Sequence, residues 1–242
     1  MILRRITEHV KAQNWLAVAL DFLIVVIGVF IGIQVSNWND GRRVEALEQS
    51  YLTRLADDLN DNINRFDAEI EFSSASRDQL IGFLKAVKDP ATADADLVGH
   101  TQNYLTDGAF LAKLDVTDAT FNDLQSTGNL DILRHRELRE ALVELYASYA
   151  RGAEVFKGNR DWVLPADSQI YMEVDAFRFD QRTAPFFPEN NIADSAQYIR
   201  THQDMLRRHA AMHFWLKDRA VEILQDMTEQ TRTVLSQLEG AQ

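Results

Sequence analysis

Cysteine is absent from this 242-residue chain, which removes disulfides, thiolate nucleophiles and thiolate metal ligands from consideration. Proline is scarce, four in all, so few positions force a helix to stop. Positive charge is in deficit: 25 Lys and Arg stand against 37 Asp and Glu, for a formal net charge of −12. Nucleic acid is held by basic patches and anionic lipid headgroups by polybasic segments, so an acidic surface suits neither. Catalytic signatures are missing as well. There is no Gly-x-Ser-x-Gly elbow, no glycine-rich phosphate loop and no His-Glu-x-x-His. Asp94-Ala95-Asp96 starts in the manner of a calcium loop, but Leu105 stands where the twelfth-position Glu is needed.

What the chain does have is one apolar run over residues 15–35. A helix of about 20 residues spans roughly 30 Å, the thickness of a bilayer core. The stretch from Phe22 to Ile33 has no polar side chain, Asp21 and Gln34 sit near its ends, and Trp15 and Trp38 flank it as interfacial aromatics do. A cleavable signal peptide ends in small residues, whereas here the run leads into Gln34-Val35-Ser36-Asn37-Trp38. The pattern predicts an uncleaved transmembrane helix over residues 15–36, with the lipid bilayer as its partner. Arg4, Arg5 and Lys11 precede it, and Arg42 and Arg43 follow. Long downstream domains cross membranes largely regardless of charge, so residues 1–14 are expected in the cytoplasm and residues 37–242 outside, in the periplasm of a Gram-negative cell. Gly28 and Gly32 form a Gly-x-x-x-Gly pair, and Asp21 lies seven residues before Gly28 on roughly the same face. One reading is a homodimer seam in the membrane with Asp21 engaged across it. The other is that glycines are common in membrane helices and Asp21 sits at the headgroup edge.

Residues 1–40 are formally neutral, so the acidic excess belongs entirely to residues 41–242. Apolar residues recur there at helical spacing, which predicts an all-α fold: one transmembrane helix followed by an antiparallel bundle of long helices. Val44, Leu47, Tyr51, Leu55, Leu59, Ile63, Phe66 and Ile70 form one stripe, with Asp57, Asp58, Asp61 and Asp67 off it. The pattern continues through Leu80, Phe83, Leu84 and Val87 to Asp89-Pro90, with only Asp40-Gly41 as a weak break, so one nearly continuous helix is expected to leave the bilayer. A short helix carries Leu97, Tyr104 and Leu105. Thr117 is the expected N-cap of another, which ends at Gly128. A long helix follows with Leu138, Leu142, Leu145, Tyr149 and Phe156, and Pro165 should kink or interrupt it. Residues 177–191 read as irregular, with Phe186 and Phe187 tucked against the bundle. The last helix carries Ile199, His202, Leu206, His209, His213, Leu216, Ala220, Ile223, Met227, Gln230 and Val234 at alternating spacings of three and four, a coiled-coil-like seam.

The one candidate site lies on that seam. His209 and His213 have the i, i+4 spacing that lets two imidazoles share a metal, with Met205 and Met212 as neighbouring soft donors. The alternatives are a pH-sensing role and plain packing, in which inward histidines pair with carboxylates or backbone of a facing helix. No cofactor is expected.

Two stretches carry a resemblance. Val25-Val26-Ile27-Gly28, Ile31-Gly32-Ile33-Gln34 and Asn37-Trp38-Asn39-Asp40 together resemble the anchor of a family of uncharacterised bacterial single-pass membrane proteins, a domain-of-unknown-function family. Thr120-Phe121-Asn122-Asp123-Leu124-Gln125-Ser126-Thr127-Gly128-Asn129-Leu130, followed by Arg136-Glu137-Leu138-Arg139, is similar to a second segment of that family. The resemblance implies a short cytoplasmic tail, one span and a helical domain outside, and it implies no activity. The leading functional expectation is a non-enzymatic anchored bundle that binds an unknown protein partner or ligand, as sensor or scaffold. The alternative is a metal-dependent enzyme, or a metal or pH sensor, built on His209 and His213.

Overall fold

The computed structural model describes residues 15–180, 182–187 and 191–241. The tail expected over residues 1–14, and Pro188 in the irregular stretch, lie outside the described residues. Among the described residues there is no strand. The six α-helices are α1 (Trp15–Lys88), α2 (Asp94–Asn103), α3 (Ala119–Ser126), α4 (Arg136–Glu173), α5 (Ile192–Thr201) and α6 (Gln203–Glu239). The chain forms two compact units, residues 1–51 and residues 52–242.

In the first unit every described side chain from Ala19 to Leu47 is exposed. This segment of α1 is long and apolar enough to cross a membrane, and none of it is buried by the rest of the chain. Gly41 is helical, so Asp40-Gly41 does not break α1, which ends only at Lys88, before Pro90.

The second unit is an antiparallel bundle. On α4 and α6, rising numbers meet falling ones: Tyr149 bonds Thr231, Gly152 abuts Met227, and Asp167 bonds His213 and His209. The α1–α6 pair runs the same way, with ion pairs Asp67–Arg232 and Arg77–Asp218. The connection after α2 descends along α1 through bonds from Arg65 to Asp115, Asn62 to Thr117, Thr120 N–H to Asp58, and Arg54 to Asp123. The aspartates expected to face water are therefore partly spent on pinning this segment. One end of the bundle is closed by a core in which Leu80 and Phe83 of α1 meet Leu97 of α2, Ile170 of α4, Ile199 of α5 and Leu206 of α6. Each such fully buried apolar side chain contributes on the order of 1.5–3 kcal/mol of transfer free energy.

Several local expectations are corrected. The buried stripe of α1 is Tyr51, Leu52, Leu55, Leu59, Asn62 and Phe66, while Val44 and Leu47 are exposed and Ile63 and Ile70 half-buried. Asn62 is tolerated inside because its side chain bonds both the carbonyl and the N–H of Thr117. Thr117 caps nothing, since its hydroxyl donates to Asp61 and Asp118 holds the N-cap position of α3. Gly128 does end that segment, at φ +70°, a left-handed conformation that suits glycine. Pro165 sits inside α4 without ending it. The last helix is divided at His202, whose Nδ1 bonds the carbonyl of Tyr198 and whose ring stacks on Tyr198. On α6 the seam holds Leu206, His209, His213, Leu216, Ala220, Met227 and Val234, but Thr231 is buried where Gln230 was expected. The aromatic stretch is split: Phe179 is buried, Phe187 is half-buried, and Phe186 is 82% exposed, not tucked in.

Candidate functional site

Three elements converge on one carboxylate. The apolar stripe of α4 descends through Tyr149, Gly152, Phe156 and Val163 to Ile170, and Asp167 lies on it between Val163 and Ile170. Opposite, α6 presents His209 and His213, one turn apart and both buried. The third element is a single π-helical turn, Tyr104–Gly108, which ends α2 and places the fully buried Tyr104 against them. Such turns widen the helix by one residue and often mark functional positions.

His209 Nε2 lies 2.8 Å, and His213 Nε2 2.7 Å, from the same oxygen of Asp167, Oδ1. Tyr104 Oη lies 2.5 Å from His209 Nδ1, on the other side of the ring. Burial works to raise the Asp167 carboxyl, but the bonds from His209 and His213 outweigh it and hold the carboxyl below its ordinary value. Asp167 is therefore an acceptor only, and both Nε2 atoms must donate to it. Burial pushes His209 below the usual imidazole range, with the bond to Asp167 opposing it, so this ring is neutral near pH 7. Its Nδ1 then accepts from the Tyr104 hydroxyl, which burial holds far above the ordinary phenol value and keeps protonated. The chain of bonds is thus fixed: Tyr104 to His209, then His209 and His213 both to Asp167. His213 Nδ1 is buried and has no hydrogen-bond partner.

One turn further along α6, Lys217 is 1% exposed and its Nζ has no hydrogen-bond partner. It rests 4.3 Å above the Phe72 ring. Burial pushes the ammonium down to about 8, with the charge of half-buried Glu69 opposing.

Among the described residues, Asp167, His209 and His213 form the cluster whose ligand atoms lie close enough to hold a metal, all within 4.8 Å of one another. The sequence-predicted pair His209/His213 is brought together as expected, with ring centroids 4.5 Å apart. Asp167, Tyr104 and Lys217 were not expected there. Asp167 carried a readable signal, a carboxylate on the apolar stripe of α4; Tyr104 and Lys217 carried none beyond helical spacing. Met205 packs against the hydrophobic core of the bundle end. His202 is half-buried and engaged with Tyr198. Asp21, Gly28 and Gly32 all lie on α1, and a Cβ at either glycine would meet nothing within 4 Å. No protein-family model, curated protein or solved structure matches the chain.

Proposed function

We propose that this chain is a single-pass protein of the bacterial inner membrane, anchored by residues 15–36, with its N-terminus in the cytoplasm and its acidic helical bundle in the periplasm. The bundle acts as a sensor or scaffold that binds a protein partner or ligand, rather than as an enzyme. The observation that carries the anchor is the exposure of apolar residues from Leu20 to Val35: Phe22 is 71% exposed and Phe30 60%. Transfer of apolar surface from water is worth about 25 cal/mol per Å², so a stripe this wide on every face of a helix is compatible with lipid and not with water. The resemblance of residues 25–40 to the anchor of a single-pass family supports the same reading. Arg4, Arg5 and Lys11 before the span slightly outnumber Arg42 and Arg43 after it, which favours the cytoplasm for the preceding side.

Fractionation with alkaline extraction tests the anchor, and a periplasm-active phosphatase fused to the C-terminus tests the orientation. Retention in the extracted membrane pellet with an active fusion is expected. A freely soluble full-length chain overturns the anchor, and a fusion active only with a cytosolic reporter overturns the sidedness. Self-association through Gly28 and Gly32 belongs to the same reading. Their open face lets a second helix approach closely. Gly28→Leu with Gly32→Leu should abolish crosslinking in membranes, and unchanged crosslinking rejects that seam.

A further inference from the structure

We propose that Asp167, His209 and His213 form a binding site for one divalent first-row transition ion, with Tyr104 as the residue that orients His209. This goes beyond the membrane reading and is independent of it, because every residue involved belongs to the bundle.

The donor set is two imidazole nitrogens and one carboxylate, the combination that zinc and related ions take in three-ligand sites with an open fourth position. The donors already converge. Two ligands sharing a tetrahedral zinc at about 2.0–2.1 Å stand roughly 3.3 Å apart. Here the carboxylate oxygen stands 2.7 and 2.8 Å from the two Nε2 atoms. To coordinate one ion, the carboxylate oxygen must open by about half an ångström and the imidazole nitrogens, in a cluster spanning up to 4.8 Å, must draw together. That opening falls to Asp167, the most accessible of the three at 21% side-chain exposure against 3% for His209 and 0% for His213. The same exposure gives an ion a route in and leaves a side for water as fourth ligand.

The outer contact of His209 suits this role, whereas His213 Nδ1 has no such partner. Metal-bound histidines present the second ring nitrogen to a hydrogen-bond partner that fixes the tautomer. His209 has that partner in Tyr104 Oη, on the nitrogen facing away from Asp167. To ligate an ion through Nε2, His209 must carry its proton on Nδ1. His209 then donates to Tyr104 instead of accepting from it. The rings are held on one helix by their i, i+4 spacing, and the carboxylate comes from the helix antiparallel to it, so ion binding would tie α4 to α6.

The test uses the full-length chain purified in detergent, stripped with a chelator and titrated with Zn²⁺ by calorimetry and with Co²⁺ by visible absorption. One equivalent of zinc is expected, with Co²⁺ giving the intense bands of a four-coordinate N/O site. Asp167→Asn retains an acceptor and the side-chain volume and should lower zinc affinity at least about 100-fold, and Tyr104→Phe about 10-fold. If Asp167→Asn loses helicity, imidazole ¹⁵N spectra of the unmodified chain decide: metallation of Nε2 in both His209 and His213 supports the site. Unchanged ring signals at saturating zinc overturn it. So does a chain that takes up no zinc, or uptake that neither Asp167→Asn nor Tyr104→Phe weakens.

Discussion

Residues 20–35 and residues 209–217 break the usual sorting of side chains in opposite directions. The first segment is almost wholly apolar and exposed throughout; the buried positions of the second include His209, His213 and Lys217. Folding alone stabilises neither. Exposed apolar area is unfavourable until something other than water covers it, and buried polar groups are unfavourable until each finds a partner. The two deviations therefore point to two different requirements. One is a solvent, the lipid that covers a helix all round. The other is a small set of specific bonds, most of them met by one carboxylate. A nonspecific requirement leaves its mark in composition, whereas a specific one leaves its mark in register.

The comparison breaks most completely at the membrane segment. Ile27→Arg combined with Ile31→Arg places two charges at the centre of the run, each costing about 2.5–3.5 kcal/mol on insertion scales. The alkaline-extracted membrane pellet should lose the protein almost entirely. The same pair of charges on the outer face of α6, at Asp204 and Glu222, should leave the pellet unchanged.

The seam should respond next. Asp167→Ala leaves two buried Nε2–H donors without an acceptor, at about 1–3 kcal/mol each, so chemical denaturation should show a loss of about 2–6 kcal/mol. Asp167→Asn keeps one acceptor and should cost less. Acid reveals the same cluster. The folded values of His209 and Asp167 both lie below their unfolded ones, so the unfolded chain binds more protons. The stabilisation from His209 is complete above about pH 6.5 and is lost as pH falls through its lowered value; that from Asp167 is complete above about pH 4 and is lost at still lower pH. Thermal unfolding between pH 7 and 3 should show a decline that Asp167→Asn reduces.

How much of this was legible follows the same division. The apolar run, the long helices and the inward histidines could be read directly, because periodicity and composition are local properties. Asp167 was half legible. It continues the stripe of Val163 and Ile170, but its pairing with residues 42 and 46 positions away depends on how α4 and α6 align. Thr117 resembled a cap and was taken instead by Asp61, a tertiary contact overriding a local preference. The division at His202 carries no glycine or proline to announce it. The π-helical turn that seats Tyr104 has no pattern of its own.

Lys217 offers a sharper version of the comparison, because its partner is missing. Its folded value of about 8 lies below the ordinary 10.5, so the unfolded chain binds the proton more tightly. The cost is full below pH 8, and stability should rise as pH climbs from about 8 to 10.5. Lys217→Met keeps the length and removes the charge. It should stabilise the bundle near neutral pH by about 1–3 kcal/mol and flatten that alkaline rise. A loss of stability would show that the ammonium has a favourable partner, with the Phe72 face as the candidate.

The smallest effects come from two glycines of α4 that differ only in surroundings. At Gly152 a Cβ would stand 2.0 Å from Met227 Cε and 3.2 Å from Leu114 Cδ2. Met227 is flexible at that end and can swing, so Gly152→Ala should cost only about 1–2 kcal/mol by overpacking. At Gly158 a Cβ would meet nothing within 4 Å, and the site is exposed. There the backbone entropy of glycine in a helix interior dominates, and Gly158→Ala should stabilise by about 0.5–1 kcal/mol. Opposite signs from the same substitution six residues apart would place the α4–α6 contact at Gly152. Equal gains at both positions would mean that Met227 does not pack there, and with it would go the register that brings Asp167 to the two histidines.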